Sequence, residues 1–259
     1  MLLTIVSGLT LCFLILPILV IVPLSFNDSR YLALPFVGFT WRWYEDFFSS
    51  PTWREALINS LTIALATMIL STVLGTAAAI GLANSKVKGR KIIETLLLAP
   101  LIAPAVIVGV GIYFVFSLLD LTQTTFGLVL AHTALAAPFV VVTVGAAMTA
   151  LDRRLLWAAA SLGAKPGHAF RKITLPIIAP GIASGALFAF TTSLDEIVVT
   201  LFLAGPGQRT LPREMFSAAR DTITPTLAAA ATTMIVFSTV LLVISLIVRG
   251  RADGRRQKI

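Results

Sequence analysis

Six long apolar blocks, separated by shorter polar intervals, place the strongest constraint on how this chain folds. They cover about residues 1–25, 57–84, 92–119, 126–150, 177–204 and 225–248. Each block is long enough to cross the hydrocarbon core of a bilayer, which takes about 20 mostly apolar residues in a helix. A chain of 259 residues that is 57% hydrophobic and only 12% charged also carries more apolar surface than a soluble core buries. The sequence therefore predicts an all-α, polytopic membrane protein with six transmembrane helices, in a single domain over residues 1–259.

The basic residues are unevenly distributed between the intervals, and this asymmetry predicts the orientation. If the six blocks alternate across the membrane, most of the 20 Lys and Arg residues fall on one side: Lys86, Lys88, Arg90, Lys91, Arg153, Arg154, Lys165, Arg171, Lys172, Arg249, Arg251, Arg255, Arg256 and Lys258. Intervals rich in Lys and Arg face the cytoplasm, so both termini are expected inside the cell. The net charge of +8 is then a topology signal, because basic residues spread over three intervals do not form the single basic face that binds nucleic acid.

The residue types present exclude most chemistry within the chain. Cys12 is the only cysteine, and His132 and His168, the only histidines, lie in different segments, so no metal site can be assembled from them. No Gly-x4-Gly-Lys-Ser/Thr phosphate loop occurs, and no nucleophile is paired with a base. We therefore expect no cofactor and no catalytic residues, and any ATP must be bound by another chain. His132 is expected to be a hydrogen-bonded packing group.

The external segment between the first two blocks contains an aromatic pattern at helical spacing. Trp41, Tyr44, Phe47 and Phe48 are typical of an amphipathic helix at the membrane interface, although a loop packed on the other spans fits equally well. Ser50-Pro51 then predicts the start of the helix that becomes the second span.

Small and helix-breaking residues are concentrated in the second and third spans. The second span is rich in Ser, Thr, Ala and Gly, which favours a position inside the helix bundle. The third span contains Pro100, Pro104, Gly109 and Gly111. These residues predict a plain kink, with a helix broken at a substrate site as the alternative.

The interval over residues 151–176 predicts a compact pair of short helices on the cytoplasmic side. Asp152 is suited to cap a helix over Arg153–Leu162, and Gly163 to end it in the left-handed conformation. Pro166 favours the first turn of a second short helix that reaches residue 173. Such a helix–turn–helix, standing off the membrane, offers a surface to a soluble partner.

The spacing within this interval resembles the EAA loop of membrane subunits in binding-protein-dependent ABC importers. The matching pattern is Ala158-Ala159-x3-Gly163-x9-Ile173-x-Leu175-Pro176, and Trp157 stands where the family has a glutamate. The resemblance extends over nearly the whole chain and implies a type I importer fold in a bacterial inner membrane. It also implies that 151–176 is a coupling loop that docks on a separate ATPase subunit. A second membrane subunit and an extracytoplasmic solute-binding protein are the other expected partners, besides the lipid bilayer.

The fifth block contains two adjacent carboxylates, Asp195 and Glu196, within an otherwise apolar run. Each costs roughly 2.5–3.5 kcal/mol at the centre of a transmembrane helix, so both should face the bundle interior or a wet cavity. Thr191 and Thr192 lie four residues earlier and are expected to hydrogen-bond to them. We expect Asp195, Glu196 and Thr192 to line the translocation pathway, with a purely structural acidic pair as the alternative.

Further motifs resemble the second membrane subunit of spermidine/putrescine permeases. They are Ser25-Phe26-Asn27, the run from Pro138 to Val144, Ser193-Leu194-Asp195-Glu196-Ile197-Val198-Val199, Gly205-Pro206 and Leu211-Pro212. The resemblance implies transport of a polyamine or of a related solute such as an opine or a phosphonate. The competing hypothesis is a proton-coupled secondary transporter that uses Asp195, Glu196 and His132. It would need an internal repeat across the spans, and no convincing repeat is found.

Overall fold

A computed structural model describes residues 2–32, 35–84, 88–221 and 223–256, and the side chains of residues 2 and 244–256 are outside that description. The α-helices in these ranges are α1 Leu2–Leu24, α2 Arg42–Ser49, α3 Pro51–Asn84, α4 Arg90–Ile102, α5 Ala105–Leu118, α6 Thr125–Thr149, α7 Arg153–Ser161, α8 Pro166–Ala169, α9 Leu175–Leu194, α10 Val198–Leu203, α11 Leu211–Asp221 and α12 Pro225–Arg256. The expected all-α fold is therefore confirmed. Two of the basic residues used to predict the orientation, Lys86 and Lys258, lie outside the described residues.

The membrane spans match the six predicted blocks when one bent pair of helices is counted as a single span. Within the described ranges, five helical segments are long and apolar enough to cross a membrane, and one bent pair qualifies as a sixth: 3–24, 51–84, 90–118, 125–149, 166–194 and 225–243. Pro51 is the first residue of α3, as predicted, and the Ser50 carbonyl accepts a bond from the Arg54 N–H.

The expected plain kink in the third span is wrong, because this span is broken. α4 and α5 meet at an angle of 109°. Ahead of Pro104, Ala103 has an extended backbone with φ −70° and ψ 140°. The proline ring disfavours the helical conformation at the preceding residue, and proline has no N–H to continue the helical ladder. The direction of the chain therefore changes at this dipeptide.

The expected continuous helix through the fifth block is also wrong. α9 ends at Leu194 and α10 begins at Val198, so residues 195–197 form a second break. On its other side, α9 is continuous with the preceding interval, since a π-helical turn over Phe170–Thr174 joins α8 to it. The second short helix predicted in 151–176 is thus the first part of the span and not a separate element. The Pro180 ring lies inside α9 without ending it.

The contacts of the chain fall into two units. Unit 1 comprises Met1–Ile58 and Leu211–Val243, and unit 2 comprises Asn59–Thr210 and Ile244–Ile259. In unit 1 a small core surrounds Phe47, which packs with Ala56, Leu211 and Ala230.

The aromatic pattern in unit 1 forms the predicted helix, α2. Phe47 is buried, whereas Trp41 and Phe48 are exposed. Trp43, which lies outside the pattern, is buried instead, and its indole N–H donates to the Asn27 carbonyl at 2.8 Å. The loop alternative is therefore excluded, while α2 is held by one packed face.

Unit 2 is organised around α6, whose most extensive neighbour is α9. Glycines of α9 allow it to approach α6 closely. A Cβ atom at Gly181 would lie 2.6 Å from the Ala147 Cβ, and one at Gly185 would lie 2.9 Å from the Val140 Cα. α3 packs on the same helix through Gly75, where an added Cβ would lie 2.6 Å from the Val140 Cβ. Such small-residue contacts bring helix backbones together in lipid, where apolar burial gives no drive to associate.

The expectation that the second span lies wholly inside a bundle holds for only one of its faces. Thr67, Ser71 and Gly75 are buried along one side of α3. Ile69 and Val73 on the other side are exposed and apolar. Small residues therefore mark the packed stripe, and branched apolar residues mark the outer surface.

Candidate functional site

The segment that resembles a coupling loop begins with α7, a short helix with a defined start and end. The Asp152 side chain accepts a hydrogen bond from the Arg154 N–H at 2.9 Å, which caps the first turn. Gly163 ends the helix with φ +81°, in the left-handed region that favours glycine. Both local predictions are confirmed.

α7 presents apolar side chains outward. Trp157 is 68% exposed and Leu162 is 89% exposed. Ala158 is also exposed, and Ala159 is half-buried. The Arg153 guanidinium ties α7 to α3 by donating to the Ala83 carbonyl at 2.9 Å. That carbonyl lies in the last turn of α3, where the backbone carbonyls have no N–H partner within the helix. Arg153 therefore satisfies one of these carbonyls.

The second half of the motif lies in the continuous helix. Ile173 is half-buried in the π-helical turn, and Leu175 and Pro176 are exposed at the start of α9. The two halves of the resemblance are therefore held by different elements, α7 and the extension of α9. The turn at Gly163 connects them, and the Ala164 N–H donates to the Ala159 carbonyl at 2.9 Å across it.

A half-open cavity of about 460 Å³ adjoins α7 within unit 2. It is lined by the ends of α3 and α6, by the first half of α4, and by the start of α7: Ala79, Leu82, Ala83, Asn84, Arg90, Glu94, Leu98, Val141, Val142, Gly145, Met148, Thr149, Leu151, Arg153, Leu156 and Trp157. Among the lining residues, the Arg90 Nε donates to the Glu94 carboxylate at 2.8 Å and forms an ion pair with it. The sequence did not predict that Trp157 would share a cavity with this pair.

The predicted pathway residues lie at the break between α9 and α10. Asp195 ends α9 and is exposed, and its N–H donates to the Thr191 carbonyl. Glu196 has a different role, because its carboxylate accepts the Val199 N–H at 2.8 Å and caps α10. Thr192 is half-buried in the last turn of α9.

The expected bonds from the threonines to the carboxylates are not formed. The Thr191 hydroxyl donates instead to backbone carbonyls of its own helix, those of Leu187 and Phe188, both at 3.1 Å. The expectation assumed a continuous helix through Asp195. Asp195 keeps the helical spacing, since its N–H donates to the Thr191 carbonyl, but the Thr191 hydroxyl is already bonded within α9. Glu196 lies beyond the end of α9, where its carboxylate accepts the Val199 N–H instead.

His132 bridges this break from α6. It is buried, its Nδ1 lies 2.8 Å from the Ser193 hydroxyl, and its Nε2 lies 3.1 Å from the Thr200 hydroxyl. The prediction of a hydrogen-bonded packing group is confirmed. The two hydroxyl partners, one on α9 and one on α10, were not predicted, because no local pattern relates residues more than 60 positions apart. The arrangement ties both sides of the break to one helix.

Five apolar spans, a bent pair that forms a sixth, a helix break after the fifth span and an exposed, capped helix between the fourth and fifth spans are together typical of a helical membrane transport component. The family model described as "Binding-protein-dependent transport system inner membrane component" matches residues 71–257. The chain belongs to that family and is a permease subunit of an ABC importer.

Curated relatives and a solved structure support this assignment along most of the chain. The spermidine/putrescine transport system permease protein PotC of Haemophilus influenzae is 36% identical over 233 residues, which is 90% of each chain. The putrescine transport system permease protein PotI of Escherichia coli is 36% identical over 227 residues, 85% of this chain and 80% of that protein. A bacterial alginate ABC transporter, solved in complex with an alginate pentasaccharide-bound periplasmic protein, matches with a TM-score of 0.71 at 20% identity and covers 95% of this chain and 91% of its own.

Proposed function

We propose that this permease subunit forms part of the translocation pathway for a polyamine, in one permease domain over residues 1–259. The PotC and PotI relatives are named for spermidine and putrescine, which supports that solute class over an opine or a phosphonate. The expected partners are an ATPase subunit, a second membrane subunit and an extracytoplasmic solute-binding protein. The alginate transporter, a member of the same fold class, has such a periplasmic protein in its complex. Family membership argues against the proton-coupled alternative.

The single observation that carries the coupling role is the form of α7. It is capped at Asp152, ended at Gly163, presents Trp157 and Leu162 outward, and is bonded to α3 through the Arg153 side chain. A short rigid helix with exposed apolar side chains is the geometry expected of an element that inserts into a groove on another protein. Trp157, in place of the family's glutamate, supplies a large apolar anchor of the kind that dominates interface energies. Ala158 and Ala159 let the partner surface approach closely.

The proposed orientation places both termini and the 151–176 interval in the cytoplasm. Lys165, Arg171 and Lys172 support this orientation, since all three are exposed on one short interval between spans. Accessibility of single cysteines to a membrane-impermeant thiol reagent tests it, in a chain with Cys12 replaced by Ser. A cysteine at exposed Lys165 should react only in inverted vesicles, and one at exposed Trp41 only from the outside.

The coupling role is tested at Gly163 with a matched control at Gly167. A branched side chain at Gly163 is strained by the φ of +81°, whereas a Cβ at Gly167 meets nothing within 4 Å and no unusual φ. In the assembled complex, Gly163→Val should lower ATPase stimulation by loaded binding protein, because the turn that joins the two halves of the motif is distorted. Gly167→Val should behave as the parent protein. Equal activity of the two variants would contradict the coupling role.

For solute contact, the structure favours Asp195 over Glu196. Asp195 is exposed at the break, whereas the Glu196 carboxylate is already bonded to the Val199 N–H. A hydrogen bond to a charged group contributes about 1.5–3 kcal/mol, so Asp195→Asn should raise the KM for polyamine uptake by roughly ten- to 100-fold. Asp46→Asn, at an exposed carboxylate of α2, is the control. An unchanged KM in Asp195→Asn with normal ATPase coupling would remove Asp195 from the pathway while leaving the coupling proposal intact.

A further inference from the structure

We propose that the cavity beside α7 binds an anionic phospholipid, with its phosphate at Arg90 and Arg153 and its acyl chains along α4 and α6. The inference is independent of which solute is transported. It rests on the gradient of side-chain chemistry along the cavity walls, on the guanidinium donors at one end, and on the apolar outer surface that continues the other end.

The cavity walls change from charged to apolar along the helix axes. Along α4 the lining runs from Arg90 to Leu98, and along α6 it runs from Thr149 to Val141. At 1.5 Å per residue, each of these walls extends about 12 Å. A cavity that is cationic at the ends of the spans and apolar toward their middle matches the chemistry of a lipid, whose headgroup and chains are ordered in the same way.

The cationic end retains donors for a phosphate. The Arg90 Nε is engaged by Glu94, and one nitrogen of Arg153 by the Ala83 carbonyl. A guanidinium has five N–H donors, so each arginine has several others, and guanidinium binds phosphate in a bidentate manner. With Glu94 included, the charged residues of the lining sum to one positive charge. Basic pockets at the cytoplasmic ends of spans are typical sites for anionic headgroups.

The apolar end argues for a lipid and against a soluble anion. The side chains of Leu98, Val141 and Val142 have no polar atom to offer a small phosphorylated molecule. Beyond the cavity, the same face of α4 remains apolar, since Leu101 and Ile102 follow Leu98 by about one turn and are exposed. The acyl chains of a lipid would therefore extend from the cavity over a continuous apolar surface, which a soluble ligand would not cover.

Binding at this site would act on α7 directly. Leu156 and the covered part of Trp157 form part of the cavity wall, while the 68% of Trp157 that is exposed is left for the ATPase groove; Arg153 holds α7 to α3. A lipid in the cavity would therefore contact three residues of this short helix. It would brace α7 against α4 and α6, and anionic lipid would set how firmly the helix is held.

The test uses the assembled complex in nanodiscs and the fluorescence of Trp157. Nanodiscs of phosphatidylcholine are doped with brominated phosphatidylglycerol or with brominated phosphatidylcholine. The quenching that disappears in Trp157→Phe is assigned to this side chain. We expect brominated phosphatidylglycerol to quench the Trp157 fluorescence at a several-fold lower mole fraction than brominated phosphatidylcholine. Soluble glycerol phosphate at millimolar concentration should not displace the bound phosphatidylglycerol.

Charge variants of the cavity lining should change the preference for phosphatidylglycerol in opposite directions, whereas misfolding would lower the preference in every variant. Arg90→Gln and Arg153→Gln should each weaken the preference for phosphatidylglycerol by roughly fivefold. Glu94→Gln removes the negative charge of the lining and should strengthen it. Arg154→Gln, an equal loss of charge on an exposed neighbour outside the cavity, should have no effect. Equal quenching by both lipids, displacement by glycerol phosphate, or loss of quenching in the assembled complex would each overturn the proposal.

Discussion

The close contact between α6 and α9 leads to a quantitative prediction for Gly181→Ala. A Cβ atom at Gly181 would lie 2.6 Å from the Ala147 Cβ and 2.8 Å from the Thr143 carbonyl oxygen, whereas ordinary contacts begin at 3.4 Å. The two helices would have to separate by about 0.8 Å, and a backbone atom cannot move aside as a flexible side chain does. Overpacking of this kind costs about 1–3 kcal/mol.

Gly145→Ala is the matched control, because it makes the same substitution in α6 where an added Cβ meets nothing within 4 Å. There the higher helix propensity of alanine should leave stability unchanged or raise it by up to about 1 kcal/mol. At roughly 2–4 °C per kcal/mol, Gly181→Ala should unfold about 2–12 °C below the parent in a detergent thermal melt. If Gly181→Ala melts at the temperature of Gly145→Ala or above, the helices are not held together by the glycine contact.

Two further predictions concern side-chain hydrogen bonds in unit 2. His132→Ala should destabilise the chain by about 1–3 kcal/mol in the same melt, since two interhelical hydrogen bonds in a membrane contribute about 0.6–1.7 kcal/mol each. The control is Thr133→Ala, whose hydroxyl bonds to the Val129 carbonyl within α6 and whose loss should have a much smaller effect. Equal losses of stability in the two variants would refute the bridging role of His132. Asn59→Ala should speed amide hydrogen exchange over 206–210, because the Asn59 side-chain amide donates to the Gly207 and Arg209 carbonyls at 3.1 Å. Unchanged exchange in this segment would show that other contacts hold it in place.

Local features of the chain were predictable because they depend on nearby residues. The cap at Asp152 depends on a backbone N–H two residues away, at Arg154. The left-handed end of the helix at Gly163 depends on the absence of a Cβ at that residue. The start of α3 at Pro51 has the same kind of cause. The Arg90–Glu94 pair joins residues one turn apart on α4. In each case the physical reason acts over a few residues, so the sequence states it directly.

The helix breaks show where local reasoning reaches its limit. Pro104 marked the third span for interruption, but its sequence did not distinguish a kink from the 109° bend that is observed. At Asp195 and Glu196 the apolar run favoured one helix, and the structure has two. The break is compatible with an apolar environment because the Glu196 carboxylate and His132 satisfy groups around it. The Glu196 bond is local, whereas His132 comes from another helix, α6.

The sequence by itself determined that this chain spans a membrane, how many spans it has, and which interval carries the family's coupling motif, because hydrophobic length and motif spacing are properties of the chain alone. Only the tertiary structure decided that Trp157 shares a cavity with Arg90, and that His132 joins the two sides of the break between α9 and α10. Each of these contacts connects residues more than 60 positions apart. They arise from the way small residues let α3, α6 and α9 approach, and such packing exists only in the folded chain.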